Sequence, residues 1–583
     1  LKSAAAPFGF LLLSFFAGVL PAAGATITVN GDGDGVAVDG LCTLREAIIA
    51  ANTNVPVGDC VAGSPSLDTI VFNIPSGDGH ISVATPLPAL IEAAVIDATG
   101  QPQLSPVVHG PQIVLSGGAA GSGVSGLTIG TTAGGSTIRG LSIVGFSVYG
   151  ISVLSSGNLI ESNWLGLYPD DPVSTQDGIV SAPNGTGIGV LGMGTGGAAS
   201  NNLIRQNWIG SNTEAGIMIL SAAGGTATAN LVQDNLIGFI ATFILRPNGD
   251  GIVVQDAVGN VIGGAISGQG NTISPNREWG MRLVGADDTI IQGNNFGRFT
   301  ADGNALGGIL LTSSPDGSAE GNIIGTATSG GEGANAFLKN GYGAGVIGTA
   351  VTVQSGTSNR ISGNRMMDNR SLLTGLGQPI DLGGDGATPN DPCDSDSGAN
   401  DLQNAPVLTH VYRTPTGVVV TGTLDSTASQ PFTLEFYRDE SPFGISLVGF
   451  TNVTTSAGCS TPFTAALGAT PAPGAITAVA IAANGDTSEF SAAVPSIIPL
   501  GVTKQFNTVI NLGATSLLTI TITNPDPVTR SNLSFTTPIR PAWSTRRRRW
   551  PPPPAVVVRS PRCPAATASL SVVHPSPRMP VVP

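Results

Sequence analysis

Residues Gly157–Gly166 read GNLIESNWLG, and Asn201–Gly210 read NNLIRQNWIG. The same grammar returns as ANLVQDNLIG from Ala229, DTIIQGNNFG from Asp288 and SNRISGNRMM from Ser358. Between these segments lies a second kind of apolar stretch: GIMIL from Gly216, GIVV from Gly251, GMRL from Gly280 and GILL from Gly308. The unit is a short alternating strand, a turn and another short strand, recurring at irregular intervals of roughly 30 to 45 residues. So short a strand cannot bury its apolar face alone, whereas coils stacked on one another share a continuous aliphatic core. The two-residue period of a strand places Ile160, Ile204, Val232, Ile237, Ile290 and Ile361 on the inside. Asn163, Asn207, Asn235, Asn294 and Asn364 keep one phase, each five residues after Asn158, Asn202, Asn230, Thr289 and Asn359. At turns, Asn satisfies its own backbone and tolerates left-handed dihedrals, and stacked Asn side chains can bond along the column. The pattern predicts an all-β chain built around a parallel β-helix.

Composition agrees. With 81 Gly, 42 Pro and only 5% aromatic residues among 583, the chain has many turns joined by small aliphatic strands. Its β-branched apolar content separates it from a disordered chain. A net charge of −14 argues against nucleic acid as a general partner, because a phosphate backbone demands a basic surface. The run FGFLLLSFFAGVL, preceded by Lys2 and followed by Ala23 and Ala25 at the small-residue cleavage positions, reads as a signal peptide over 1–25. The expected location is extracellular or cell-surface, with no transmembrane helix in the mature chain.

The stretch Gly40–Asn52, GLCTLREAIIAAN, is the one clear amphipathic helix. Thr43 can cap it while Glu46 returns a hydrogen bond to the Thr43 backbone, and Leu44, Ala47, Ile48 and Ala51 form one apolar face. A β-helix ends in unpaired backbone groups that invite edge-to-edge association, so a helix over 43–51, placed before the strand TIVFNI at Thr69, is expected to cover that end. Cys42 and Cys60 bracket the helix and are expected to be bridged in an exported chain; two unpaired core cysteines are the alternative. Pairing of Cys393 with Cys459 is left open, and Cys563 lies in the C-terminal tail.

CTLREAIIAAN followed by DTIVFNI resembles the N-terminal signature of the CSLREA-domain proteins, bacterial exported proteins in which it precedes a right-handed β-helix of the pectate-lyase-like superfamily. GQPIDLGGDGATPNDPCDSDSGANDLQNAPVL, 377–408, is similar to their closing segment. Thr43 stands where the name-giving motif has Ser, and either residue can cap a helix. The resemblance covers roughly residues 26–500 and implies a right-handed solenoid on a surface or secreted protein without a defined activity.

The expected organisation is a cap over 26–68, the β-helix over 69–400, an immunoglobulin-like antiparallel β-sandwich over 401–497 and an incomplete second sandwich module over 498–539. From 540 to 583 the chain turns basic and Pro-rich, with eight Arg, eleven Pro and no acidic residue. This abrupt change reads as the product of a lost reading frame.

Sugar-cleaving chemistry requires two carboxylates about one bond, or a base with cations that neutralise a uronate. Asp170, Asp171, Asp234, Asp250, Asp256, Asp287, Asp288 and Asp302 stand mostly beside Gly or Asn, where turn chemistry accounts for them. The four His, at 80, 109, 410 and 574, form no cluster in sequence that suggests a metal site or a triad. The sequence therefore argues for a noncatalytic surface or adhesion-type protein that binds a polysaccharide or a partner surface protein. The alternative is a polysaccharide lyase or glycoside hydrolase acting on an acidic polysaccharide. Trp164, Trp208 and Phe296 follow the Asn of three repeats and are candidate glycan contacts, with plain stacking as the competing account. No cofactor is expected; calcium is considered at NGDGDG, Asn30–Gly35, and DLGGDG, Asp381–Gly386, although neither has EF-hand spacing.

Overall fold

The structure, a computed structural model, describes residues 24–75, 79–104, 110–169, 179–240, 244–297, 303–328, 330–342, 348–369, 377–439, 445–468, 474–506, 516–525, 530–537, 556–563 and 567–574. Of the expected signal peptide over 1–25, residues 1–23 lie outside them. Two compact units emerge. The first holds the chain to residue 389 together with 396–403 and 484–489, and the second holds 390–395, 404–483 and the chain from 490 onward.

The first unit is a right-handed parallel β-helix made of three sheets. One sheet has eleven parallel strands in the order Thr26–Val29, Asp68–Phe72, Ala94–Asp97, Thr137–Arg139, Leu159–Glu161, Leu203–Arg205, Leu231–Gln233, Val261–Gly263, Ile290–Gln292, Ile323–Gly325 and Arg360–Ser362. A second runs from His80–Ser82 through Trp164–Leu165 and Trp208–Ile209 to Arg365–Met367. A third has nine strands, from Leu127–Ile129 to Gly377–Leu382.

Register makes the core. Ile138, Ile160, Ile204, Val232, Ile262, Ile291, Ile324 and Ile361 are cross-strand partners in one column, each at most 1% exposed. Ile290, expected inside, pairs instead with Val261 and Ile323 on the outer side and is half-buried. Ile291 stands two residues after Thr289 as Ile160 does after Asn158, so the inward position falls on Ile291 and its neighbour Ile290 faces the opposite side.

Buried Asn side chains hold the corners. Along one ladder Asn163, Asn207, Asn235, Asn271, Asn294, Asn335 and Asn364 each pass the side-chain amide to the carboxamide oxygen of the next. Asn158, Asn202, Asn230 and Asn260 form another. A third, Asn184–Asn212–Asn248–Asn276–Asn304–Asn340–Asn369, was not read from the sequence.

The strand Thr26–Val29 pairs with Asp68–Phe72, so the β-helix begins before the helix rather than at Thr69. The helix spans Leu44–Thr53 with Thr43 as N-cap, and both hydrogen bonds of the capping box are present. Leu44, Ala47 and Ile48 are fully buried. Cys42 and Cys60 are bridged. In NGDGDG, Asp34 grips the Arg45 guanidinium at 2.8 and 2.9 Å, and the Asn30 side chain accepts the Cys42 N–H at 2.6 Å. The other end of the unit is closed by 396–403 and 484–489. Asn359 donates its N–H to the Asn400 side chain, and Thr487 accepts the N–H of Ile361.

The second unit carries antiparallel sheets arranged as a β-sandwich. Val407–Thr414, Gly417–Asp425 and Ser460–Leu467 form one; Pro431–Asp439, Ile445–Thr454, Ala475–Ala482 and Val494–Pro495 form the other. Leu408, Val420, Leu424, Leu434, Phe436 and Phe463 share their core. Cys393 is bridged to Cys459 within this unit. Farther along, Arg530–Thr537 pairs with Val556–Cys563, and Ser516–Thr523 with Thr567–His574, so two segments of the Pro-rich tail form strands with the module before it. Arg546–Arg549 lie outside the described residues. Among the described residues no helix is long and apolar enough to cross a membrane.

Candidate active site on the third sheet

Glycines set the surface of the third sheet. At Gly189 an added Cβ would stand 2.6 Å from the Tyr149 ring, and at Gly307 it would run into the Trp279 ring, so each aromatic lies across a neighbouring strand at a glycine. Between these rings, on the strand Asp250–Gln255, stands Asp250. It is 3% exposed. Its carboxylate accepts from the Arg282 guanidinium at 2.6 Å and from the Trp279 backbone N–H at 3.0 Å, both on the adjacent strand Trp279–Val284.

Two further carboxylates flank it. The Asp250 N–H donates to the Glu214 carbonyl at 2.7 Å, and the Glu278 N–H donates to the Gly249 carbonyl at 2.9 Å. Glu214, Asp250 and Glu278 thus sit on successive coils, whose strands are about 4.8 Å apart, and both glutamates are exposed. Burial pushes the Asp250 carboxyl above the ordinary aspartate value, and the negative charge of Glu278 pushes the same way; Arg282 and the Trp279 N–H pull against them. Tyr149 is also raised, first by burial and then by Glu214. The result is a buried carboxyl raised above its ordinary value, an exposed glutamate on the next coil, a cation and two aromatic rings.

The other sequence candidates separate clearly. Asp234, Asp256 and Asp288 adopt left-handed turn conformations, so turn chemistry accounts for them. Asp256 accepts from the Ser314 hydroxyl, and Asp287 accepts from the Glu320 N–H. Asp170, Asp171, Asp302 and His109 lie outside the described residues. Asp250 alone among the described candidates is buried against a cation from the next coil.

Trp164 and Trp208 are register partners, stacked with ring centres 4.7 Å apart and 11° between planes. Phe296 does not join them. It pairs with Ile273 and Phe337, is fully buried and stacks on Phe337, because NNFG places its aromatic one residue later than NWLG and NWIG do. Phe296 is a core residue and is withdrawn as a glycan contact. At DLGGDG, Asp381 is spent on the Gly386 N–H. Elsewhere, Asp391 and Asp394 of the second unit bring carboxylate oxygens within 4.8 Å of each other, an oxygen-rich pair that could serve a hard cation such as calcium.

No protein-family model and no curated protein matches the chain. Among solved structures it is similar to the full-length tailspike protein 2 of an Escherichia coli bacteriophage, at 9% identity over 78% of this chain and 63% of that one, with TM-score 0.35. It is also similar to the enzymatically active domain of that tailspike, at 9% identity over 79% and 69%, TM-score 0.31. A third is the periplasmic alginate epimerase AlgG, at 15% identity over 50% and 55%, TM-score 0.27. The chain spans less than two thirds of the full-length tailspike and about half of the epimerase.

The expectation of a noncatalytic chain is corrected at this point. On the third sheet a buried carboxyl lies against a cation, with an exposed carboxylate on the next coil, a grouping that the sequence alone did not bring together.

Proposed function

We propose that the protein is an exported or surface enzyme that cleaves an acidic polysaccharide along the outer face of the third sheet. The observation that carries this reading is Asp250: a carboxyl 3% exposed on a strand, raised by burial and tied to a cation on the next strand. Such burial is costly, and groups perturbed in this way cluster at functional sites.

In this reading Asp250 supplies the proton to the departing glycosidic oxygen, burial having raised its carboxyl above the ordinary aspartate value. Glu278, exposed on the adjacent coil, is the partner carboxylate that acts as base or nucleophile. Arg282, whose side chain is 36% exposed, orients Asp250 and offers its open side to the carboxylate of a uronic acid. Trp279 and Tyr149 are flat apolar surfaces for sugar rings.

The test is an assay of the purified chain on pectate, alginate and a neutral glucan, following reducing ends and unsaturated ends separately. Release from an acidic substrate supports the reading, and the kind of end distinguishes hydrolysis from elimination. No release from either acidic polymer sinks it.

A further inference from the structure

The corner between the first and second sheets carries an ion ladder with a cleft beside it. Asp97, Arg139, Glu161 and Arg205 are successive register partners, joined at 2.7 Å, 3.4 Å and 2.8 Å, so each charge is met by its neighbour. The chain then turns into the second sheet through Ala98, Gly140, Ser162 and Gln206. The last three have left-handed backbones, with φ of 76°, 57° and 56°. At Gly140 a Cβ would stand 2.7 Å from the Thr99 nitrogen, so only glycine fits there. Small residues at three consecutive coils leave a trough. Trp164 and Trp208 form part of its lining, with Gln101 and Gln112 also around it, and the cavity measures about 460 Å³.

Among the described residues, nothing charged lines this cavity. Neither indole N–H donates to a described residue, although Trp164 is only 7% exposed. Gln101 is committed to the Ile74 backbone, while Gln206 is exposed and makes one amide contact, to Asp234 at 3.1 Å. The volume lies within the roughly 300–1,000 Å³ range of small-ligand sites, in which an apolar wall is combined with a few placed polar groups. An uncharged ligand with an apolar face and many hydroxyls meets all of these features: the face lies against indole, and the hydroxyls accept from the indole N–H and exchange hydrogen bonds with Gln206 and Ser162. We infer that the Trp164–Trp208 cleft is a second carbohydrate site that takes one or two residues of a neutral glycan and is separate from the acidic-substrate site on the third sheet.

The cleft makes no use of Asp250, so it can stand or fall independently of the proposed enzyme. The test is calorimetric titration of the full chain with cellotetraose, maltotetraose and mannotetraose, with tryptophan fluorescence recorded in parallel. At least one neutral tetrasaccharide is expected to bind with Kd below about 1 mM and to shift the fluorescence. W208A and Q206A are expected to weaken it, W208A by at least about tenfold and W208F, which keeps a ring but loses the N–H, by less than W208A, whereas D250N leaves it within about twofold. Q206A alters an exposed side chain and guards against misfolding of W208A. The inference is overturned if all three sugars fail to bind below about 1 mM, or if W208A and Q206A, both folded by circular dichroism, bind as tightly as the unaltered chain.

Discussion

Ile361 donates its backbone N–H to the Oγ1 of Thr487 at 3.0 Å, across 126 residues of chain. Ile361 is in the last strand of the first sheet, where the next coil would otherwise supply the acceptor. Asn484–Glu489 returns to take that place: Asp486 accepts the Ser358 N–H at 2.6 Å, and Glu489 accepts those of Leu382 and Thr388 at 3.0 and 2.9 Å. A sheet edge covered in this way is protected from adding a strand of another molecule. Replacing Thr487 by Val removes the acceptor while keeping the shape. The expected cost is about 1–3 kcal/mol, with faster hydrogen exchange at the Ile361 amide; unchanged exchange would contradict the closing role.

The same segment should respond to pH. Burial raises the Asp486 carboxyl above 3.8 and the Glu489 carboxyl above 4.5, while the backbone donors they accept from pull the other way. A carboxyl raised on folding contributes stability that is complete below its unfolded value and lost as pH rises through its folded value. The first unit is therefore expected to lose this contribution between acid and neutral pH. Asp486→Asn removes one titration while its amide oxygen can still accept from Ser358. Its denaturation midpoint should fall less between about pH 4.5 and 7.5 than that of the unaltered chain, and equal falls would contradict the account.

Within the ladder, Asn235 accepts the N–H and the side-chain amide of Asn207 and donates to Ile204, Gln233 and Asn271. Asn235→Ala leaves several of these buried groups unmet at once. A loss on the order of 3 kcal/mol in chemical denaturation is expected. Asn276 and Asn304 in the third ladder should behave alike.

The two-residue period and the Asn163–Asn207–Asn235 phase are local, so they are visible in ten residues at a time. The third ladder recurs at separations of 28, 36, 28, 28, 36 and 29 residues, and Asn212, Asn276, Asn340 and Asn369 stand five residues after Asn207, Asn271, Asn335 and Asn364, so its phase too is present in the sequence, one turn beyond the segments that repeat most plainly. Ile290 and Phe296 were misplaced by one residue: two adjacent isoleucines fit either face, and NNFG carries its aromatic one residue later than NWLG, so register fixes the face. Asp250 was visible as a residue but not as a site: its meaning depends on Arg282 and Glu278, which only the stacking of the next coil brings beside it. Thr487 and Glu489 are more remote still, and their segment reads as sandwich until the fold returns it to the β-helix.

At the opposite end, Glu46 is fully buried and takes the N–H groups of Ala37 and Thr43 at 2.7 and 2.9 Å. The Cys42–Cys60 bridge, 18 residues in span, holds the same turn. Thr43→Ala should cost about 1 kcal/mol. Replacing both cysteines by Ala should cost about 3 kcal/mol, read as a lower melting temperature. If the double variant melted with the unaltered chain under oxidising conditions, the cap would not depend on the bridge.

The central claim rests on Asp250, and the most direct measurement compares the unaltered chain with D250N on pectate and alginate at matched protein concentration. The account predicts that D250N loses at least about a hundredfold in rate while keeping its circular dichroism and melting temperature, and that the activity of the unaltered chain declines as pH rises through the raised Asp250 value. Cleavage by D250N at the rate of the unaltered chain would show that the acid lies elsewhere and would contradict the account.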